Sequence, residues 1–252
     1  MKASLSRHPY LVLFLLGGVL LASFPAQAWA MHISEGILPV TWVTAGFVLS
    51  APFLFWGLHE IKTRSQKTAQ YKPFVALVGA AVFIISCLPI PVPIAGTCSH
   101  PCGTGLAAIL IGPAPTVVVA SVALTLQALF LAHGGLTTLG ANIVSMGVAG
   151  AFVGYGAFRL ARLVGLPIFV AAFLAGVLSD WATYATTALM LASALHGEGS
   201  LGTMFWTILV AFVPTQVPLG ILEGFLGAGA LRFVRIRRPR LLAKSLEIGG
   251  VA

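Results

Sequence analysis

Six apolar runs constrain this chain more than any other feature. They cover residues 39–59, 73–94, 114–133, 138–161, 166–195 and 203–231. Each is near or above the roughly 20 residues a helix needs to cross a bilayer. The composition agrees: 58% of residues are hydrophobic, 8% are charged and the mean hydropathy is +1.00, unlike any soluble domain of this length. The expected fold class is all-α, a polytopic membrane protein with about seven transmembrane helices. No large polar segment interrupts it, so one membrane domain is expected. There is no repeat of 20–50 residues and no low-complexity tract.

Charge sets the number of crossings. The 14 Lys and Arg residues fall into four groups. Lys2 and Arg7 stand near the start, and Lys62, Arg64, Lys67 and Lys72 lie between the first two runs. Arg159 and Arg162 end the run near 160, and Arg232, Arg235, Arg237, Arg238, Arg240 and Lys244 fill the tail. Cytoplasmic loops carry the positive charge. All the later groups fall inside only if 103–133 crosses an even number of times. Gly103 to Ile111 is apolar but short, so it reads as a short helix or re-entrant arm turning at Gly112-Pro113. The result is seven segments, with Met31 outside and the carboxy terminus inside. The net charge of +8 is spread over loops and tail, where it reads as topology signals rather than a nucleic-acid surface.

Residues 1–30 read as a cleaved signal peptide. Lys2 and Arg7 form its basic start, Leu11 to Phe24 its apolar core, and Ala28-Trp29-Ala30 its small-x-small cut site. Residues 31–232 then form the membrane domain and 233–252 a basic cytoplasmic tail. Cleavage after Ala30 creates a chelator. The free amine of Met31, the amide nitrogen of His32 and His32 Nδ1 close five- and six-membered rings around one ion. A fourth planar position stays open. The outer segments 95–103, 132–138 and 196–202 hold His100, His133 and His196 and no Lys or Arg. That absence suits a cation site, although the topology rule accounts for it equally well. His100 is the best candidate for the fourth ligand, which makes the expected metal set Met31, His32 and His100. Planar nitrogen ligation suits Cu(II) or Ni(II), and also Co(II).

Other residues leave alternatives open. Cys98 and Cys102 form a disulfide, stay free or ligate metal; Pro101 argues against the helix that i, i+4 ligation would need. The run His133-Gly134-Gly135-Leu136-Thr137-Thr138 is either a tight connection or a loop that closes over the site. Its glycines allow close backbone approach, and Thr138 is placed to cap the next helix. Gln127, Asn142, Asp180, Gln216 and Glu223 stand inside apolar runs. Asp180 and Glu223 either carry protons or ions or brace helices. Gly150/Gly154, and Gly227 near Gly224 and Ala228, permit close helix packing. There is no GxxxxGK[ST] run, and His59-Glu60-Ile61-Lys62-Thr63 is not HExxH. A P-loop and a membrane zinc protease are therefore unsupported.

Four separated runs, in this order, resemble the CbiM/NikM family. They are Met31-His32-Ile33-Ser34-Glu35-Gly36-Ile37-Leu38-Pro39, Cys98-Ser99-His100-Pro101, His133 through Asn142, and Glu223-Gly224. The family comprises the substrate-binding membrane components of energy-coupling factor (ECF) transporters for cobalt and nickel. The resemblance implies an S-component-like fold with an extra amino-terminal helix. It also implies metal held by the terminal amine, the second residue and a histidine in the loop after the second helix, here Met31, His32 and His100. The implied partners are a transmembrane coupling subunit, cytoplasmic ATPases and a small accessory membrane subunit, with lipid around them and no nucleic acid. No permanent cofactor is expected; Co(II) or Ni(II) is cargo. The Cys98–Pro101 run looks more like the cobalt branch, which would point to cobalamin synthesis. Nickel is the alternative cargo. Rivals from other classes are an S component for an organic vitamin, a metal-dependent membrane enzyme or sensor with Glu35 as its base, and a partner-independent channel.

Overall fold

The computed structural model describes residues 32–88, 90–92 and 97–239. The signal-peptide reading, Met31 and the end of the tail fall outside them. Among the described residues, seven helices make up almost all of the fold: α1 (Val40–Lys67), α2 (Tyr71–Ser86), α3 (Thr104–Ile111), α4 (Pro113–Phe130), α5 (Leu139–Leu163), α6 (Ile168–Leu195) and α7 (Leu201–Arg237). Five of them, all but α2 and α3, are long and apolar enough to cross a membrane. Phe55, Phe130, Leu160, Val210 and Phe233 are exposed on their outer faces. Lipid is the medium that accepts such a surface, and intrahelical bonding satisfies the backbone within it. The chain is a multi-pass membrane protein.

The second helix ends at Ser86, eight residues before the apolar run does. Pro89, Pro91 and Pro93 alternate beyond it, and proline supplies no helical N–H and clashes with the preceding turn. The chain instead forms a two-stranded ribbon, β1 (Ile90–Val92) against β2 (Thr97–Ser99), antiparallel, with Ile90 opposite Ser99. The ribbon delivers His100 to the mouth of α3. At the other end, α7 runs on to Arg237, past the expected tail boundary at 233. No proline or glycine stands between Phe233 and Pro239 to end it at the boundary.

Helix α3 occupies the centre, with seven of its eight residues buried. It turns directly into α4 at Gly112, whose φ of 91° suits glycine. The pair is thus the expected re-entrant hairpin. Arg64 of α1 fastens its tip, donating to the Ile111 carbonyl at 2.7 Å while pairing with Glu60. Tyr71 of α2 donates to the same carbonyl at 3.2 Å. Passage back and forth through α1 to α7 places the α1–α2 loop, the Gly112 turn, Arg159, Arg162 and the arginines of α7 at one end. Residues 32–39, the ribbon and the loop at 131–138 lie at the other.

Small residues set the helix contacts. Gly154 lies against Gly105, where an added Cβ would stand 3.0 Å from its Cα. Gly176 and Gly224 bring α6 and α7 equally close, with a Cβ on Gly176 standing 2.8 Å from the Gly224 Cα. Gly227, expected to act likewise, has only ordinary van der Waals surroundings. Within α5, residues Ile143–Gly150 form a π-helical stretch immediately after Asn142. Such widened turns recur at functional sites.

Candidate metal site

The site begins with residues ahead of α1. Ile33 is gripped on both backbone groups: its N–H donates to Asn142 Oδ1 at 2.8 Å, and its carbonyl accepts from Asn142 Nδ2 at 3.1 Å and Thr138 Oγ1 at 2.6 Å. Thr138 therefore does not cap α5 with its side chain, as its position suggested; its hydroxyl holds the amino-terminal segment instead. Glu35 accepts from the backbone and hydroxyl of Thr137, tying the same segment to the glycine loop. The two glycines act as expected. A Cβ on Gly134 would stand 3.2 Å from His32 Cβ, and one on Gly135 would stand 2.8 Å from Glu35 N.

This grip sets His32 deep in the outer end, 2% exposed. Its ring orientation is fixed by Gln127. The Gln127 amide Nε2 donates to the Ser86 carbonyl at 3.0 Å and the Ser86 hydroxyl at 2.8 Å. A carbonyl only accepts, so Gln127 Oε1 is the atom facing His32 Nε2, at 3.1 Å. His32 Nε2 therefore carries the proton and Nδ1 keeps its lone pair. Nδ1 is the nitrogen that the amino-terminal chelate requires.

His100 and His133 close the cluster. After α4 the chain reverses at Ala132 (φ 48°), and the His133 N–H bonds the Gln127 carbonyl at 3.3 Å. His100 Nδ1 donates to the Pro101 carbonyl at 3.1 Å, leaving Nε2 as acceptor for His133 Nε2 at 2.9 Å. The three ring centroids lie 4.8–4.9 Å apart. A separation of 2.9 Å between nitrogens is also about that of adjacent ligands held about 2.0 Å from an ion. A cation can thus replace the shared proton.

Burial keeps all three rings neutral. It pushes His32 well below the usual histidine value, helped by His100 and His133 and opposed by the Gln127 hydrogen bond. Burial, then the neighbouring His133, lowers His100 to about 3. Burial also lowers His133. Below the unfolded value of about 6.5, the unfolded chain binds more protons than the folded one, so stability is full above that pH and falls toward the folded value. For His100 alone the expected loss at pH 5 is about 2 kcal/mol relative to pH 7. Thermal unfolding of the metal-free protein at the two pH values checks this, and His100→Gln should reduce the difference.

Of the expected ligands, the structure brings His32 and His100 together, and Met31 lies outside the described residues. His196 stays apart, half-buried, with Nδ1 on the Gly197 carbonyl. His133 joins the cluster, although from sequence its run is either a tight connection or a loop that closes over the site. Its place directly before Gly134-Gly135, in an outer segment with His100, was the available signal. Cys102 is a buried free thiol, and the Cys98 side chain lies outside what the structure describes. Glu223 accepts from the backbone N–H of Cys102 at 2.6 Å and of Gly103 at 2.9 Å, holding the loop that carries His100.

Comparisons with known proteins give the family. The sequence profile of CbiM, described as cobalt uptake substrate-specific transmembrane region, matches residues 32–241. A cobalt transport protein CbiM of Sorangium cellulosum (strain So ce56) is 63% identical over 212 residues, covering 84% of this chain and 94% of the relative. A CbiM of Geobacter sulfurreducens is 56% identical over 238 residues, covering 94% and 68%. Among solved structures, a truncated transition metal transporter superposes with a TM-score of 0.68 at 25% identity, covering 81% of this chain and 97% of that one. A further transition metal transporter gives 0.72 at 24% identity, over 86% and 99%, a likeness of fold. A profile match across most of the chain, joined to relatives this similar along their length, makes the chain a member of the CbiM family, the substrate-specific transmembrane component of cobalt uptake.

Proposed function

We propose that this chain captures Co(II), with Ni(II) as the alternative cargo, as the membrane substrate component of an ATP-driven ECF importer. It is a transporter subunit, not an enzyme. Capture occurs at the Met31 amine, the His32 amide nitrogen and Nδ1, and His100, with His133 beside them. The signal peptide is removed after Ala30, which frees the amine. The mature amino terminus faces outside the cytoplasmic membrane and the basic carboxy terminus faces inside. Cytoplasmic ATPases and a transmembrane coupling subunit supply the energy, which fits a chain without a P-loop. The loop at 133–138 closes over the ion, and reorientation driven by the partners releases it inward.

One observation carries the reading. Histidines from three distant parts of the sequence meet in one cluster, two of them buried and His133 half-buried, and the tautomer of His32 leaves free the nitrogen needed for chelation. Deprotonating the amine and amide releases protons, so binding should strengthen as pH rises. The decisive experiment is Co(II) titration of the mature protein and its His100→Ala variant by calorimetry. The expected loss is at least about 100-fold in affinity, above the 10–100-fold typical of outer-shell changes. Wild-type affinity in a folded variant would remove His100 from the site. Parallel titration with Ni(II), followed by uptake of each metal by the assembled transporter, decides the cargo.

A further inference from the structure

Two residues beyond His100 the chain enters a second cluster. Cys102 Sγ, an oxygen of Asp180 on α6 and an oxygen of Glu223 on α7 all lie within 4.8 Å of one another, and all three residues are buried. Glu223 accepts two backbone N–H groups from Cys102 and Gly103. Each carboxylate oxygen has two acceptor sites, so this bracing leaves capacity on both. Asp180 is 0% exposed. Its Oδ1 takes only a weak contact from the Cys102 thiol, at 3.9 Å. Its Oδ2 has no hydrogen-bond partner among the described residues. That oxygen is turned toward α7: a Cβ on Gly220, one turn before Glu223, would stand 3.1 Å from it.

Bracing the loop explains Glu223 but not its neighbours. Among the described residues, the ion pair is Arg64–Glu60, far along the chain, and neither Asp180 nor Glu223 has a Lys, Arg or His partner. Two carboxyl groups side by side at membrane depth, one with an orphaned oxygen, need a positive charge to be ionised. A proton satisfies one of them and ignores the thiol. A divalent first-row cation satisfies all three, since one thiolate and two carboxylates suit a borderline ion such as Co(II), Ni(II) or Zn(II).

We propose that Cys102, Asp180 and Glu223 form a second divalent-metal site, an inward station that receives the ion from the histidine site. On loading, the sulfur and the carboxylate oxygens bond the cation, while the thiol proton and any carboxyl proton leave as H+. The distance to cover is short, because residues two apart in the chain lie at most about 7 Å apart at Cα. The donor set also changes from nitrogen to sulfur and oxygen, which supplies a direction through chemistry. The order of the two stations rests on the capture reading above; the existence of the second does not.

The test uses the full mature protein in detergent, with Co(II) as probe, read by equilibrium dialysis and absorbance. The wild type should hold two Co(II) per chain and show a thiolate-to-cobalt charge-transfer band in the near ultraviolet. His100→Ala should keep one Co(II) and the band. Cys102→Ser should lose the band and one Co(II), whereas Cys87→Ser and Cys98→Ser should retain both. Asp180→Asn, which preserves shape, should weaken the second Co(II) at least about 10-fold while sparing the first, and it stands in if the serine variant fails to fold. One Co(II) with no band in the folded wild type, or a band that survives Cys102→Ser, overturns the second site. A His100→Ala variant that still binds two Co(II) instead sinks the capture reading and leaves this one standing.

Discussion

Adding one residue in front of Met31 is expected to abolish tight Co(II) binding while the protein remains folded. The added residue converts the Met31 amine into a peptide amide and moves the free amine one residue away. The five-membered ring through that amine and the His32 amide nitrogen then cannot close. The chain cannot restore it by sliding, because Ile33 is held on both its N–H and its carbonyl by Asn142 and again by Thr138. A shift of one residue would break three buried hydrogen bonds and move His32 off Gln127. A four-ligand metal site gains roughly 10–16 kcal/mol in all, so losing one ligand and its ring costs about 2.5–4 kcal/mol, or roughly 60- to 700-fold in Kd. Intact mass confirms the added residue, gel filtration the fold, and calorimetry the affinity. A Kd within tenfold of wild type would mean that the amine is not a ligand.

The same residues show how far sequence reasoning reaches. The spans were legible because apolar runs of bilayer length have few alternatives, and the α3–α4 hairpin because charge placement demanded an even crossing and Gly112-Pro113 supplied the turn. The end of α2 was misplaced because hydropathy counts Pro89, Pro91 and Pro93 as neutral, whereas the backbone cannot helix through them. His32 and His100 were legible through the chelate they make possible. His133 was not, since its approach depends on the reversal at Ala132, a left-handed conformation that no residue type there announces. Gln127 and Asn142 stand out only as polar residues in apolar runs, and Thr138 only as a helix cap. Their work is to orient His32 and hold Ile33, contacts made across about a hundred residues of sequence.

Gly140→Ala should already prevent accumulation of folded protein, and Gly140→Val more so. Helices α1 and α5 cross backbone to backbone at this point. A Cβ on Gly140 would stand 2.4 Å from the Phe47 backbone nitrogen, and one on Gly46 would stand 2.6 Å from the Ala141 nitrogen. No rotamer change relieves either clash, because the obstacle is main chain. The helices would have to part by an ångström or so. Overpacking of a close-packed interior costs about 1–3 kcal/mol even where side chains adjust, and here only the backbone can yield. The damage spreads, since Thr138 and Asn142 flank Gly140 and hold Ile33. A helix that shifts there releases His32 as well. Gly156→Ala is the control: it lies on the same helix with nothing within 4 Å of an added Cβ, and alanine should stabilise a helix interior by up to about 1 kcal/mol. Yield, gel-filtration profile and thermal unfolding in detergent compare the two. A Gly140→Ala protein that purifies as a single species with wild-type melting and Co(II) affinity would show that the crossing has slack the structure does not display. If only the Co(II) affinity falls while the melting point holds, the crossing serves the site rather than the fold.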